Sequence, residues 1–186
     1  MGTLLKVIFV ASSISLLVYL LMPVPLSVKD FSPLPGSAKS TLEGDTIQVP
    51  NVSAYFSNNY RDRVMPFYLE DVRSLTKFPF GPLRLNYPPE FAFTAIKDQT
   101  HGTFLEELVY PLRDSLFVNG LEPFEKDGTS RYKGATLFDE GGKLFETKVT
   151  LRYYPSHAIV RIATWLGINI SIYYLVKVAK GVASDV

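Results

Sequence analysis

Cysteine is absent from this chain of 186 residues, histidine occurs twice and tryptophan once. Without cysteine there is no disulfide, no thiolate metal site and no lipid attached through a thioether. With His101 and His157 as the only imidazoles, a histidine-rich metal cluster is excluded as well. Charge of either sign is not in excess: a formal net charge of +1, with 20% charged residues, leaves no electrostatic footprint for nucleic acid. The Gly-x-Ser-x-Gly elbow, HExxH, the P-loop and the Gly-rich dinucleotide fingerprint are all missing. No catalytic residue, metal or cofactor is therefore assigned.

The chain does have two long apolar runs, one near each end. Residues 7–26 supply the roughly 20 apolar residues that a spanning helix needs, with no charge among them. The rival is a cleavable signal peptide, since Lys6 precedes an apolar core. No small-x-small cleavage site follows Leu21, however, and Pro23 and Pro25 crowd the place where a peptidase would act, so an uncleaved anchor is expected. The second run, residues 157–177, is interrupted by Arg161, Thr164, Asn169 and Ser171. Arg161 lies near its start, where a long side chain snorkels to the headgroups. An amphipathic surface helix is the alternative, but the polar residues do not gather into one broad charged face.

Interfacial anchors are expected at Trp165, Tyr173 and Tyr174, and basic flanks at Lys6, Lys177 and Lys180. The positive-inside rule then puts both termini, residues 1–6 and 178–186, in the cytoplasm, with the central part of a two-pass cell-membrane protein outside. Ala163, Gly167 and Ser171 repeat at every fourth position, as do Ala11 and Ser15, a spacing that lets membrane helices approach closely. Asn169 would add an interhelical hydrogen bond. Its Asn-Ile-Ser context is a glycosylation acceptor inside the apolar run; Asn51, followed by Val52 and Ser53, is the accessible one.

Between the anchors, the prolines and serines of residues 27–45 predict a spacer without regular structure, and residues 46–154 a single α+β domain. That domain is expected to carry a small, largely antiparallel sheet with two or three helices. Residues 46–52 read as an edge strand. Ser57 would cap a helix whose Tyr60, Val64, Phe67, Tyr68, Val72 and Leu75 recur at helical spacing, with Pro66 as its one breaker. Pro88, Pro89 and Glu90 open a further helix, placing Phe91, Ala92, Ala95 and Ile96 toward the core.

Thr103 and Glu106 match a capping box for a short helix bearing Phe104, Leu105, Leu108 and Val109, ended by Pro111. Asn119 and Gly120 suggest a hairpin turn, or alternatively a helix cap. The clearest strand alternates Phe145, Thr147, Val149, Leu151 and Tyr153 with polar residues, after a turn at Asp139, Glu140, Gly141 and Gly142.

Chemistry is thin. Asp98, His101, Glu106 and Glu107 are close in sequence and would suit an acid/base or metal site, although helix-end capping explains them better. Arg113 with Asp114, and Asp62 with Arg63, read as solvated charge mixtures. The Ser37, Lys39 and Ser40 group lies in the spacer without the scaffold that a nucleophile needs. The 24 Phe and Tyr residues should be mostly core, with some left to line a partner surface.

The expected function is a non-catalytic structural or assembly subunit of a cell-envelope membrane complex, with the bilayer and a membrane protein or second copy as partners. A ligand-binding or sensing module, and a membrane-anchored hydrolase using His101, are the alternatives.

Overall fold

The structure, a computed structural model, describes residues 3–46, 49–96 and 102–184. It divides into two compact units, Met1–Pro23 with Ser156–Val186, and Val24–Pro155.

In the first unit α1 (Thr3–Leu21) and α5 (Ala158–Ser184) are both long and apolar enough to cross a membrane. α1 starts before the expected residue 7 and stops at Leu21, because Pro23 and Pro25 follow and cannot continue a helix. α5 runs beyond the expected residue 177, through Lys177 and Lys180. The two helices run in opposite directions. Ser13 Oγ donates to Asn169 Oδ1 at 2.7 Å, and Trp165 Nε1 donates to the Ser13 carbonyl at 2.9 Å. At the other end of α1, Arg161 Nη1 donates to the carbonyls of Leu20 at 2.7 Å and Met22 at 3.2 Å. The last carbonyls of a helix have no intrahelical partner and carry the negative end of its dipole, so a guanidinium there caps α1.

The second unit is α+β. Eight strands follow in chain order: β1 (Ala38–Lys39), β2 (Val52–Ser57), β3 (Leu83–Tyr87), β4 (Phe104–Tyr110), β5 (Asp114–Leu121), β6 (Phe138–Glu140), β7 (Lys143–Phe145) and β8 (Thr147–Tyr154). Six of them form one antiparallel sheet in the order β1-β2-β8-β5-β4-β3, and β6 and β7 form a separate hairpin. Three α-helices accompany them: α2 (Glu43–Thr46), α3 (Arg61–Thr76) and α4 (Ala92–Ile96).

The expected helix forms as α3, with Val64, Met65, Tyr68 and Val72 buried against Tyr55, Phe104, Leu108, Leu116, Val118, Val149, Leu151 and Tyr153 of the sheet. Its start differs: Ser57 ends β2, and Tyr60 is the N-cap without a side-chain cap bond. Pro66 is tolerated within the helix, on its exposed side. The opposite face of the sheet is covered in part by α4, where Ala92 and Ile96 pack on Leu105; Phe91, expected inside, is exposed.

The expected strand forms as β8, with Phe145 in β7 instead; Thr147, Val149, Leu151 and Tyr153 are buried, but so are Thr150 and Arg152, because β8 lies between β2 and β5. Gly141 and Gly142, both at positive φ, turn the β6-β7 hairpin as expected.

Four expectations fail. The edge strand expected over residues 46–52, of which 47 and 48 lie outside the described residues, is not where a strand forms: Thr46 ends α2, and the strand lies at Val52–Ser57, between β1 and β8. Residues 104–109 are strand β4, not a capped helix, and Thr103 Oγ1 donates to the Gly120 carbonyl at 3.0 Å. Asn119 and Gly120 neither turn nor cap, but lie inside β5, flanked by β4 and β8. Gly120 is small for a packing reason: a Cβ there would stand 2.0 Å from Cε1 of the Phe104 ring.

The fourth failure is the spacer. Val28, Phe31 and Leu34 are buried in the main core, and Ser27 and Asp30 close a capping box around the 3-10 turn Val28–Asp30. The Phe31 ring meets Tyr153 edge-on with centroids 5.0 Å apart, and Tyr153 OH donates to the Pro25 carbonyl at 2.9 Å. Prolines kept this segment from being a long helix or strand, yet its spaced apolar residues still found the core.

Gly120→Ala is expected to lower the stability of the detergent-solubilised full chain by about 2 kcal/mol, as over-packing does. The loss should shrink in a Phe104→Leu background, which removes the ring that a new methyl would strike. Chemical denaturation of the unaltered protein, the two single variants and the double variant checks this.

Candidate functional site

The corner where α3 begins beside β3 and β4 gathers a network of charged residues. Side chains alternate across a strand, so in β4 Phe104, Glu106, Leu108 and Tyr110 share the face that α3 covers. Glu106 is the one charged residue in that row, at 0% exposure. A buried carboxylate is tolerable only when paired and hydrogen-bonded. Arg61, the first residue of α3, donates through Nε to Glu106 Oε1 at 2.6 Å. Arg84, on β3, donates through Nη2 to the same oxygen at 2.7 Å and through Nε to Oε2. Burial pushes the Glu106 carboxyl up, but the Arg84 and Arg61 hydrogen bonds outweigh it and hold the group below the usual carboxylate range. Glu106 in turn raises Arg84 above the ordinary guanidinium value.

Arg61 is a shared node. Its Nη2 donates to Asn86 Oδ1 at 2.9 Å, its guanidinium lies 5.3 Å from the Phe104 ring centre, and its backbone N–H donates to Glu122 Oε1 at 2.6 Å. Glu122 therefore does what the N-cap residue does not: it accepts one of the orphan amides at the start of α3 and places negative charge at the positive end of the dipole. Its other oxygen accepts from Arg131 Nη2 at 3.1 Å, and Arg131 also pairs with Glu125 at 3.0 Å. Burial raises the Glu122 carboxyl, against the lowering effects of the Arg61 amide and the Arg131 charge. Tyr60 OH donates to Glu146 at 3.0 Å, and burial together with that carboxylate pushes the phenol up to about 12.

These residues line an open cleft of about 760 Å³, with Tyr60, Arg61, Arg84, Glu122, Lys126 and Arg131 in its wall. The cleft is bipolar. At one end two guanidiniums share one carboxylate, so positive charge is in surplus; at the other Glu122 and Glu125 share Arg131 near Asp127, and negative charge is in surplus. Lys126 and Asp62, both in the wall, pair at 2.7 Å.

The residues singled out in the sequence are placed as follows. Glu106 and Glu107 are neighbours in β4 and lie on opposite faces of the sheet; Glu107 accepts from Tyr87 OH at 2.6 Å. They do not converge on one site, and Asp98 and His101 lie outside the described residues. Asp62 and Arg63 are exposed, but Arg113 and Asp114 are buried rather than solvated. There the Tyr110–Asp114 turn folds Arg113 onto the rings of Tyr110 and Phe78, at 5.2 and 5.8 Å.

In the helical unit Asn169 is bonded to Ser13, while Ala163, Gly167 and Ser171, and Ala11 and Ser15, face outward, and a Cβ at Gly167 would meet open space. Arg161 is buried on α1, Trp165 is half-buried against it, and Lys6, Tyr173, Tyr174, Lys177 and Lys180 are exposed.

The sequence did carry a signal for Glu106. Read as a strand, residues 104–110 put a single carboxylate in a row of Phe, Leu and Tyr, which demands a cationic partner. The partners, 45 and 22 positions away, were not legible.

Acidification separates the two carboxylates. Glu106, held low, contributes stability that is full above the ordinary carboxylate value and is lost as pH falls through its depressed one. Glu122, held high, acts in the opposite sense: protonation favours the folded state, so stability rises as pH falls through its raised value toward the ordinary one. Glu122→Gln is expected to abolish that rise. Glu106→Gln is expected to cost about 3 kcal/mol near neutrality, a penalty that shrinks in acid. Denaturation midpoints of the three proteins across acidic pH check both signs. Compared with protein-family models, curated proteins and solved structures, the chain has no match, so its functional reading stands on this geometry.

Proposed function

We propose that the chain is a non-catalytic, two-pass membrane protein that serves as a structural or assembly subunit of a membrane complex in the cell envelope. Its two spans form a hairpin with both termini in the cytoplasm, and the α+β unit is extracytoplasmic. The antiparallel contacts of α1 and α5 support the hairpin, since they carry both ends of the chain to one side. Lys6, Lys177 and Lys180 near those ends support the cytoplasmic assignment.

The observation that carries the assembly role is the apolar surface of the domain. Phe80 is 70% exposed and Phe93 71%, and Leu83, Leu85 and Phe91 are exposed as well. The charged groups of the nearby corner are by contrast engaged in ion pairs with one another, with Glu106 held by Arg61 and Arg84 and Glu122 by Arg131. Exposed apolar side chains grouped in this way mark contact surfaces. The outward stripes at Ala163, Gly167 and Ser171, and at Ala11 and Ser15, give the membrane helices a second contact face.

The bipolar cleft favours one other reading, a ligand-binding module for a small molecule carrying both charges. Equilibrium dialysis of the purified protein against zwitterionic and singly charged amino-acid derivatives separates it from the first.

Extraction in a mild detergent followed by native mass analysis is expected to show the protein with another membrane protein or a second copy. A lone monomer would remove the assembly reading. Ala163→Leu with Gly167→Leu should weaken that association about tenfold, roughly one lost packing contact, without unfolding the hairpin.

A further inference from the structure

The sheet has two free margins. β1 is two residues long, and so short an edge offers little to pair with. β3 is five residues long, Leu83–Tyr87; only β4 lies beside it, and among the described residues nothing pairs with its outer side. An edge strand directs the N–H and C=O of alternate residues outward, and these groups are the ones that accept another strand. Pro82 and Pro88, which lack the amide donor, bound the open ladder at both ends. Natural edges are usually blunted by a bulge, a lysine or an inward charge. β3 has none of these on its Leu83, Leu85 and Tyr87 face, where Leu83 is 55% and Leu85 40% exposed.

The two faces of this edge differ in chemistry. Leu83 and Leu85 lie on the face that carries α4, whose exposed Phe93, together with Phe91 just before it, extends the apolar surface. Arg84 and Asn86 lie on the α3 face beside Arg61, where two half-exposed guanidiniums share the single Glu106 carboxylate. That side is left with uncompensated positive charge.

We propose that β3 is a docking edge for an extended segment of a partner protein, which joins the sheet as an added strand. Main-chain hydrogen bonds to the outward groups of β3 supply the pairing, as in other strand-addition complexes. Specificity comes from alternation: apolar side chains on the incoming strand lie along Leu83 and Leu85, and acidic ones face Arg84 and Arg61. The identity of the partner as a subunit of the same complex rests on the assembly reading above; the strand-accepting surface does not.

The test uses the full chain in detergent and two synthetic peptides, one alternating valine with glutamate and one alternating valine with lysine. The glutamate peptide is expected to bind and to slow amide exchange in Leu83–Tyr87. The lysine peptide should bind about tenfold more weakly, as opposite charge placement changes affinity. Leu83→Lys with Leu85→Lys, at unchanged melting temperature, should lose the glutamate peptide; if that variant does not fold, the two-peptide comparison on the unaltered protein decides. Equal binding of the two peptides, or binding without slower exchange in β3, overturns the proposal. A native complex in which β3 exchanges as in the free protein overturns strand addition and leaves the assembly role standing. A lone protein that still takes up the glutamate peptide on β3 does the reverse.

Discussion

A carboxylate with no access to water lies in the apolar layer between the sheet and α3, and much of the domain is arranged around it. Glu106 is tolerable there because Arg61 and Arg84 reach it from two different elements. Arg61 is the first residue of α3, so pairing it fixes where the helix starts; Arg84 is in β3, so pairing it holds the last strand to its neighbour. The Arg61 amide then requires an acceptor, which Glu122 provides from beyond the end of β5, and Glu122 in turn engages Arg131. The Phe104 ring that lies under Arg61 occupies the space a side chain at Gly120 would need. One buried charge thus reaches four elements of the fold.

What the sequence revealed and what it hid follow from how each segment is covered. The 3.6-residue period of α3 and the two-residue period of β8 were legible because in each the apolar residues recur at the spacing of the element. β4 and β5 were not. All three are inner strands buried on both faces, but β8 keeps polar residues at every second position, whereas the Phe-Leu-Glu-Glu-Leu-Val-Tyr run of β4 and the Asp-Ser-Leu-Phe-Val-Asn-Gly-Leu run of β5 show no two-residue period. In β4 such a run was compatible with a helix. In β5 the pair Asn119 and Gly120 imitated a turn, whereas the glycine is there to admit an aromatic ring. The segment over residues 27–45 misled in another way: its prolines correctly ruled out long regular elements, but Val28, Phe31 and Leu34 were enough to bind it to the core. Local composition reports backbone freedom and says little about burial.

The helical unit shows the same separation of roles. The small residues that sequence spacing singled out are turned outward, and contact between α1 and α5 is made by Arg161, Trp165 and Asn169. A polar residue in an apolar helix is costly unless it finds a partner, and each of these three bonds to a group on α1. The positions that looked least suited to a membrane are those that join the two helices, and the small residues face outward. In the domain, likewise, the buried Glu106 is held by Arg61 and Arg84, while Leu83 and Leu85 of the edge strand are exposed.

The most direct measurement is amide exchange of the full chain and of Glu106→Gln at neutral pH, resolved by element. If the buried carboxylate organises the corner, β3 and the first turn of α3 lose protection well beyond any loss in β2 and β8. Equal loss across the whole sheet, or none in β3, would contradict the central place given to Glu106.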